Sequence, residues 1–315
     1  MNSLLFKGAR LLDPESGFDA VGDLLVEGGR IAAVGEDFSE AARGAEVVRA
    51  DGLCLAPGLV DMRVQLREPG AEHMESIETA GQAAAAGGVT TMVALPNTAP
   101  VVATVPIWWP SAYPHGVPLS SFPLTLSLTT WQPQLLVGLW AVNPPAASAL
   151  TMNSPEVAGA TLATVIEPAR PLHEQGMRAV GEGLCDGTID AIASDHAPWG
   201  QDSKRQPFSS AAYGIVGLET LLPLSLELYH NGHLGLLEVI RRLTANPARI
   251  LGLPVGRLAP GAPADLVLFD LDLSWRISTD DLRSKSKNSP FDCRPVRGRV
   301  RRTVVDGRTI FWDAG

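Results

Sequence analysis

The segment Asp61-Met62-Arg63-Val64-Gln65-Leu66-Arg67 places polar side chains at alternate positions behind the apolar pair Leu59-Val60. Alternate residues of a strand share one face, so Arg63, Gln65 and Arg67 point the same way if the strand runs that far. None is a histidine, so the segment offers no imidazole to a metal. A guanidinium suits two-point recognition of a carboxylate. A second polar cluster closes the run Ile189-Asp190-Ala191-Ile192-Ala193-Ser194-Asp195-His196, where Asp195 is a carboxylate able to move a proton. Bland readings stand beside these. Arg67 can be a surface cation beside Glu68 or Glu72, Asn97 after Leu95-Pro96 a turn former, and Asp195-His196 a strand-end cap with a satisfied core histidine.

These residues need elements to position them. Ile77 to Gly88 reads as a helix, and Val89 to Leu95 as a buried strand leading to a turn at Pro96-Asn97. A helix feeding a strand that ends in a polar loop is the unit of an α/β barrel, whose chemistry sits on loops at strand C-termini. Residues 189–196 repeat that logic, and Leu218 to His230 and Leu236 to Asn246 read as two later helices. The ends differ. Leu4-Leu5-Phe6, Leu24-Leu25-Val26 and Gly29 to Gly35 alternate with Gly and Asp turns, and similar runs return at Ala264 to Asp270 and Arg301 to Phe311. The expected organisation is a small β-sandwich from 1–57 plus 258–315 around a (β/α) barrel domain at 58–257.

The middle resists assignment. From Thr79 to Pro155 there is no Asp, Glu, Lys or Arg, and the part from Val102 carries nine prolines and four of the seven tryptophans. A barrel helix needs a polar outer face, and Pro inside a helix or central strand removes a backbone hydrogen bond. Residues 102–176 therefore read as irregular: a hydrophobic insertion, a partner-binding surface, or sequence altered by deletion or a change of reading frame. The last fits best, because charge and periodicity resume only around Glu167 to Glu182. About 200 residues remain for a barrel that typically needs roughly 250, so an incomplete barrel is expected.

Composition bounds the rest. The chain has 315 residues, 45% of them hydrophobic, and a net charge of −9. That balance argues against a nucleic-acid surface, which needs clustered Lys and Arg. Cys54, Cys185 and Cys293 lie far apart, so neither a disulfide framework nor a thiolate metal site is indicated. No run of about 18 apolar residues suggests a membrane span, and no targeting segment is visible. A cytoplasmic protein is expected.

Ala56-Pro57-Gly58-Leu59-Val60-Asp61-Met62-Arg63-Val64-Gln65-Leu66-Arg67-Glu68-Pro69-Gly70 resembles the signature of dihydroorotases, in the amidohydrolase superfamily. Further segments look alike: Gly87-Gly88-Val89-Thr90-Thr91, Leu95-Pro96-Asn97-Thr98, Asp186 to Pro198, Gly214 to Thr220, Asn246-Pro247-Ala248-Arg249 and Ser284 to Phe291. The resemblance covers roughly 1–101 and 177–312. In that family the first strand ends in His-x-His, which ligates zinc, and Arg63 and Gln65 occupy those two positions here. By matching position the resemblance implies that Arg67 and Asn97 bind a substrate carboxylate and that Asp195 is the general acid/base. It places Tyr213 and Gly214 at a backbone contact to substrate, and Trp199 where the family has a substrate-contacting His. The remaining ligands belong to the irregular middle, where His115 and His173 have no matching context.

The implied role is a dihydroorotase-like protein of pyrimidine biosynthesis, catalytically impaired, with no cofactor. It would bind a dicarboxylate-like ligand and serve as a structural partner of aspartate transcarbamoylase. The alternative is an active zinc enzyme interconverting N-carbamoyl-L-aspartate and dihydroorotate. A third reading is a damaged gene product that does not fold cooperatively.

Overall fold

The computed structural model describes residues 3–35, 38, 44–95, 98–100, 148–151, 182–207, 210–212 and 214–313. Two of the site residues expected from the sequence, Asn97 and Tyr213, lie outside these, as do His115, His173 and all of 102–176 except 148–151.

The two ends of the chain pair into one eight-stranded sheet. Its strands are β1 (Leu4–Asp13), β2 (Phe18–Glu27), β3 (Arg30–Gly35), β4 (Glu46–Arg49), β5 (Cys54–Pro57), β10 (Leu266–Arg276), β11 (Pro295–Val305) and β12 (Arg308–Trp312). The order is β12-β11-β10-β5-β1-β2-β3, with β4 also on β1. β5 and β10 join the two ends, running antiparallel from Cys54↔Phe269 to Pro57↔Leu266. One face encloses a core drawn from both, with Phe6, Leu24 and Val26 against Leu258, Leu266, Leu268 and Val304. The strands outrun their apolar runs because alternation continues through them: β11 buries every second residue from Val296 to Val300. The β11–β12 turn is Asp306-Gly307, both at positive φ, the geometry a tight two-residue hairpin demands.

Between the ends lie parallel strands in two pairs. β6 (Leu59–Val64) pairs with β7 (Val89–Ala94), and β8 (Ser148–Thr151) with β9 (Ile189–Ala193). β8 corrects the expectation that no element lies within 102–176; its four residues, Ser-Ala-Leu-Thr, carry no proline to block pairing. β6 meets the chain just beyond β9 through a parallel bridge, Val64↔His196. The first strand of this region thus neighbours its last assigned one, as barrel topology requires. No closed barrel is present among the described residues.

Helices cover these strands. α1 (Ile77–Ala86) starts on a capping box: Ser76 Oγ accepts from Thr79 N at 3.2 Å and Thr79 Oγ1 accepts from Ser76 N at 3.1 Å. Its buried face is Ala80, Gly81 and Ala83–Ala85, small enough for close approach. A β-carbon at Gly87, just past its end, would lie 2.0 Å from Leu218 O. After a short turn of helix, α2 (Gln201–Lys204), come α3 (Leu221–His230), α4 (Leu236–Leu243) and α5 (Ala245–Leu251). The last two replace the single helix expected from Leu236 to Asn246. Pro247 cannot donate to the carbonyl four residues back and its ring crowds that position, so the helix breaks at Thr244, φ −132° and ψ −79°. α1, α3 and α4 share one core with the barrel-facing side of the sheet, including Val267, Phe269 and Val300.

Candidate functional site

The site forms where β6 and β9 end together. Asp61 sits in β6 with no solvent exposure, and a charge there needs partners. Its Oδ1 accepts from the backbone N–H groups of Arg63 and Ser194, each at 3.2 Å, and its Oδ2 takes a very short hydrogen bond from Ser194 Oγ. Ser194 Oγ accepts in turn from His196 N at 3.0 Å. Burial pushes the Asp61 carboxyl up to about 6 against these hydrogen bonds. Asp61 therefore fastens the two strand ends together and turns away from chemistry.

One residue further along the same face, Arg63 reaches across. Its Nε donates to Asp195 Oδ1 at 2.7 Å. Asp195 lies two residues past β9 at φ +48° and is 7% exposed. Burial raises its carboxyl to about 6, with the Arg63 guanidinium pulling the other way. Gln65 ties β6 to the same segment through its backbone, its N–H donating to His196 O at 2.8 Å.

Arg67 is not the surface cation that spacing alone allows. It is 8% exposed and held at φ +64°. Its Nε donates to Pro198 O at 3.0 Å, and its guanidinium lies 4.2 Å from the centre of the Trp199 ring. Burial pulls this guanidinium below its ordinary value. Its Nη2 and the Trp199 Nε1 are both buried with no hydrogen-bond partner among the described residues.

His196 and Glu75 form a supporting layer. His196 Nδ1 accepts from Gly217 N at 3.1 Å, so Nε2 carries the proton of the neutral ring, and burial favours that neutral form. Nε2 faces Glu75 Oε2 at 3.5 Å, too long and misaligned for a full hydrogen bond. Glu75 also accepts from Ser284 Oγ, Thr79 Oγ1 and Lys285 N. Burial pushes its carboxyl up, but His196, Ser284 and Thr79 together hold it below the usual value. His196 is the core histidine the sequence allowed in its burial, but it is not the satisfied one, since Nε2 has no full hydrogen bond among the described residues. Gly214 is buried at φ +108°, its carbonyl accepting from Lys204 Nζ at 2.8 Å and Asn288 Nδ2 at 3.1 Å. A β-carbon there would lie 2.5 Å from that of Ala197.

The structure thus gathers Arg63, Arg67 and Asp195 against the segment 195–199 and puts Gly214 behind it. Sequence reasoning missed the roles of Asp61, Glu75, Ser194 and the Trp199 stack. Only Asp61 left a signal, as an acid inside a buried apolar strand.

The zinc that the resemblance implies does not fit the described residues. No three His, Cys, Asp or Glu side chains among them converge on a point. Asp195 already faces a guanidinium, which cannot lose its proton to become a ligand. Asp61 is committed to Ser194 and the backbone of Arg63.

Comparison with known proteins follows the same lines. Residues 52–109 match the dihydro-orotase-like family model, and 152–310 match that of the amidohydrolase family. Both reach further into the middle than the motifs do, leaving 110–151 unmatched. The chain is 33% identical over 420 residues to a dihydroorotase of Wolbachia sp. subsp. Drosophila simulans (strain wRi), covering 98% of this chain and 95% of that one. It is likewise 33% identical over 428 residues to a dihydroorotase of Anaplasma phagocytophilum (strain HZ), with the same coverage. A match of 420 positions on a chain of 315 leaves at least 105 where only the relative has a residue. Among solved structures, L-hydantoinase (dihydropyrimidinase) from Arthrobacter aurescens superposes at TM-score 0.77 and 20% identity, covering 100% of this chain and 97% of that one. Dihydropyrimidinase from Brevibacillus agri NCHU1002 gives 0.73 and 16%, covering 98% and 95%. These likenesses establish the metal-dependent-hydrolase type of (β/α) barrel fold.

Proposed function

The chain belongs to the dihydroorotase family of amidohydrolases, and from that premise we propose a dihydroorotase-like protein of pyrimidine biosynthesis that has lost ring-opening chemistry. It binds a dicarboxylate-like ligand without turning it over and acts as a structural partner of aspartate transcarbamoylase. The observation that carries the loss of turnover is the Arg63–Asp195 contact at 2.7 Å. Opening a cyclic amide near neutral pH needs a nucleophile far more acidic than bulk water and a means of polarising the carbonyl. Here the carboxylate placed to move a proton is tied to a fixed cation, and the described residues supply neither requirement. Support for ligand binding is Arg67, buried and held by Pro198 O, with a nitrogen that has no hydrogen-bond partner among the described residues. Support for the partnership is the family relation.

One observation favours the active-enzyme reading instead. A carboxyl raised to about 6, as burial makes Asp195, is well matched to proton transfer near neutral pH. A ring-opening assay with dihydroorotate in added zinc, alongside metal analysis by atomic absorption, separates the two. No turnover is expected; turnover that vanishes in Asp195→Ala establishes the enzyme reading. Co-purification with aspartate transcarbamoylase at fixed stoichiometry is expected, and a chain that never associates with it removes the partnership.

A further inference from the structure

The segment Ser284 to Phe291 resembles dihydroorotases without any role attached to its residues. One of them, Asn288, makes four hydrogen bonds to the two stretches that carry the site. Its Oδ1 accepts from Trp199 N at 3.1 Å. Its Nδ2 donates to Ala197 O at 3.0 Å and to Gly214 O at 3.1 Å. Its backbone carbonyl accepts from Val216 N at 3.2 Å. Asparagine offers two donors and an acceptor on a short stem, and both hydrogens of this amide nitrogen are committed. The side chain thus bridges the stretch just past β9 to the stretch just before α3.

Asn288 is itself anchored. Ser284 Oγ and Lys285 N donate to Glu75, Ser286 Oγ donates to Met74 O at 2.7 Å, and Lys285 Nζ donates to Glu72 O at 2.6 Å. Residues 72–75 follow Arg67 on the chain leaving β6. Arg67 reaches back to the clamped stretch, donating from Nε to Pro198 O and lying against the Trp199 ring. These contacts close a ring. It runs from Arg67 along the chain to Glu75, across to 284–286, through Asn288 to 197–199, and back to Arg67. Where 197–199 sits therefore decides where the buried guanidinium sits.

We propose that Asn288 is a positioning residue, which fixes the Arg67 guanidinium by holding Ala197, Trp199 and Gly214 together and touches no ligand itself. Its consequence for binding rests on the reading of Arg67 as the group that holds a ligand. The placement of Arg67 is testable with no ligand present.

The test is the rate at which phenylglyoxal, an arginine-specific reagent, modifies Arg67, read by peptide mass mapping. Proteins are wild type, Asn288→Ala, Asn288→Asp and Thr303→Ala, each checked by its melting curve. Asn288→Asp keeps the acceptor for Trp199 N but sets a charged oxygen against two carbonyls. Thr303→Ala removes a buried hydrogen bond of the sheet, Thr303 Oγ1 to Ala85 O at 2.7 Å, and controls for general loosening. Arg67 is expected to react roughly tenfold faster in both Asn288 variants, the worth of a buried hydrogen bond left unmade, and at the wild-type rate in Thr303→Ala. An unchanged rate in a folded Asn288 variant, or an equal rise in Thr303→Ala, overturns the proposal. If neither Asn288 variant folds, amide exchange in wild type decides. Trp199 N–H is expected to be protected, and exchange there at the rate of an open loop overturns the clamp. Calorimetric titration with N-carbamoyl-L-aspartate addresses the underlying reading separately. A wild type that binds none of it defeats ligand binding at Arg67, while the modification rate alone decides the positioning role. Where wild type binds, each folded Asn288 variant is expected to bind roughly tenfold more weakly, and equal affinity overturns the consequence for binding.

Discussion

Replacing Arg63 by methionine removes the guanidinium from Asp195 while keeping an unbranched apolar stem of similar reach. The Arg63 Nε–Asp195 Oδ1 contact is 2.7 Å, with side chains 38% and 10% exposed. A hydrogen bond to a charged group contributes about 1.5–3 kcal/mol. Arg63 is exposed enough for solvent to screen the pair, so a cost of about 1–1.5 kcal/mol is expected when Asp195 is ionised. Its carboxyl is raised to about 6, burial being the larger cause and Arg63 the opposing one. The sign follows. A raised carboxyl stabilises the fold below its unfolded value, and that contribution is lost as pH climbs through the folded one. Arg63 limits the loss by favouring the charged form, so its removal is felt above about pH 6 and hardly at all near pH 4.5. Urea denaturation of both proteins at pH 4.5 and pH 8 reads this directly. A penalty of equal size at both pH values, or a variant more stable than wild type at pH 8, refutes the argument that the pair compensates a buried charge.

Further outcomes follow from neighbouring groups. Burial holds Asp61 and Asp195 at about 6 and Glu219 at about 7, all raised, so the wild-type urea midpoint should fall as pH goes from 5 to 8; a rise across that window contradicts these shifts. Gly214→Ala should cost roughly 2–4 kcal/mol, combining a left-handed backbone with overpacking, because its β-carbon would lie 2.5 Å from that of Ala197; a melting temperature equal to wild type counts against it. Glu75→Gln should weaken the hold on Ser284 and Lys285 by about 1–3 kcal/mol, seen as faster amide exchange at Lys285, whose N–H donates to Glu75 at 3.0 Å; unchanged exchange there contradicts the assigned contact.

The sequence made some of this legible because the signals were local. The helix from Ile77 and the apolar alternation of the ends are patterns within a few residues, and those elements formed where expected, whereas the equally local Ser76–Thr79 cap and Asp306-Gly307 turn went unread. The α4–α5 break was missed although Pro247 announced it, because the apolar pattern runs on past Leu243. The site was legible only as a set of positions. Arg63 and Asp195 stand 132 residues apart, and Asp61 and Ser194 133, and no periodicity connects such pairs. The stack of Arg67 on Trp199 likewise depends on β6 and the end of β9 meeting. What could have been read is Asp61, since a carboxylate inside a buried run must find donors.

The contacts that join β6 to the end of β9 also bear on the loss of turnover proposed above. Asp61 takes donors from Ser194, Arg63 bonds to Asp195, Gln65 N–H meets His196 O, and Glu75 holds Ser284 and Lys285 beneath them. None of these contacts uses a metal, and none uses a residue between 100 and 182. The mouth of the fold is therefore braced, among the described residues, without either. A metal that links strand ends contributes folding energy through that link. A pair of opposite charges at the same place supplies part of it by geometry alone, and Asp195, the carboxylate proposed to move a proton, is the group it consumes. Arg63 is then the residue on which both the proposed loss of turnover and part of this brace rest.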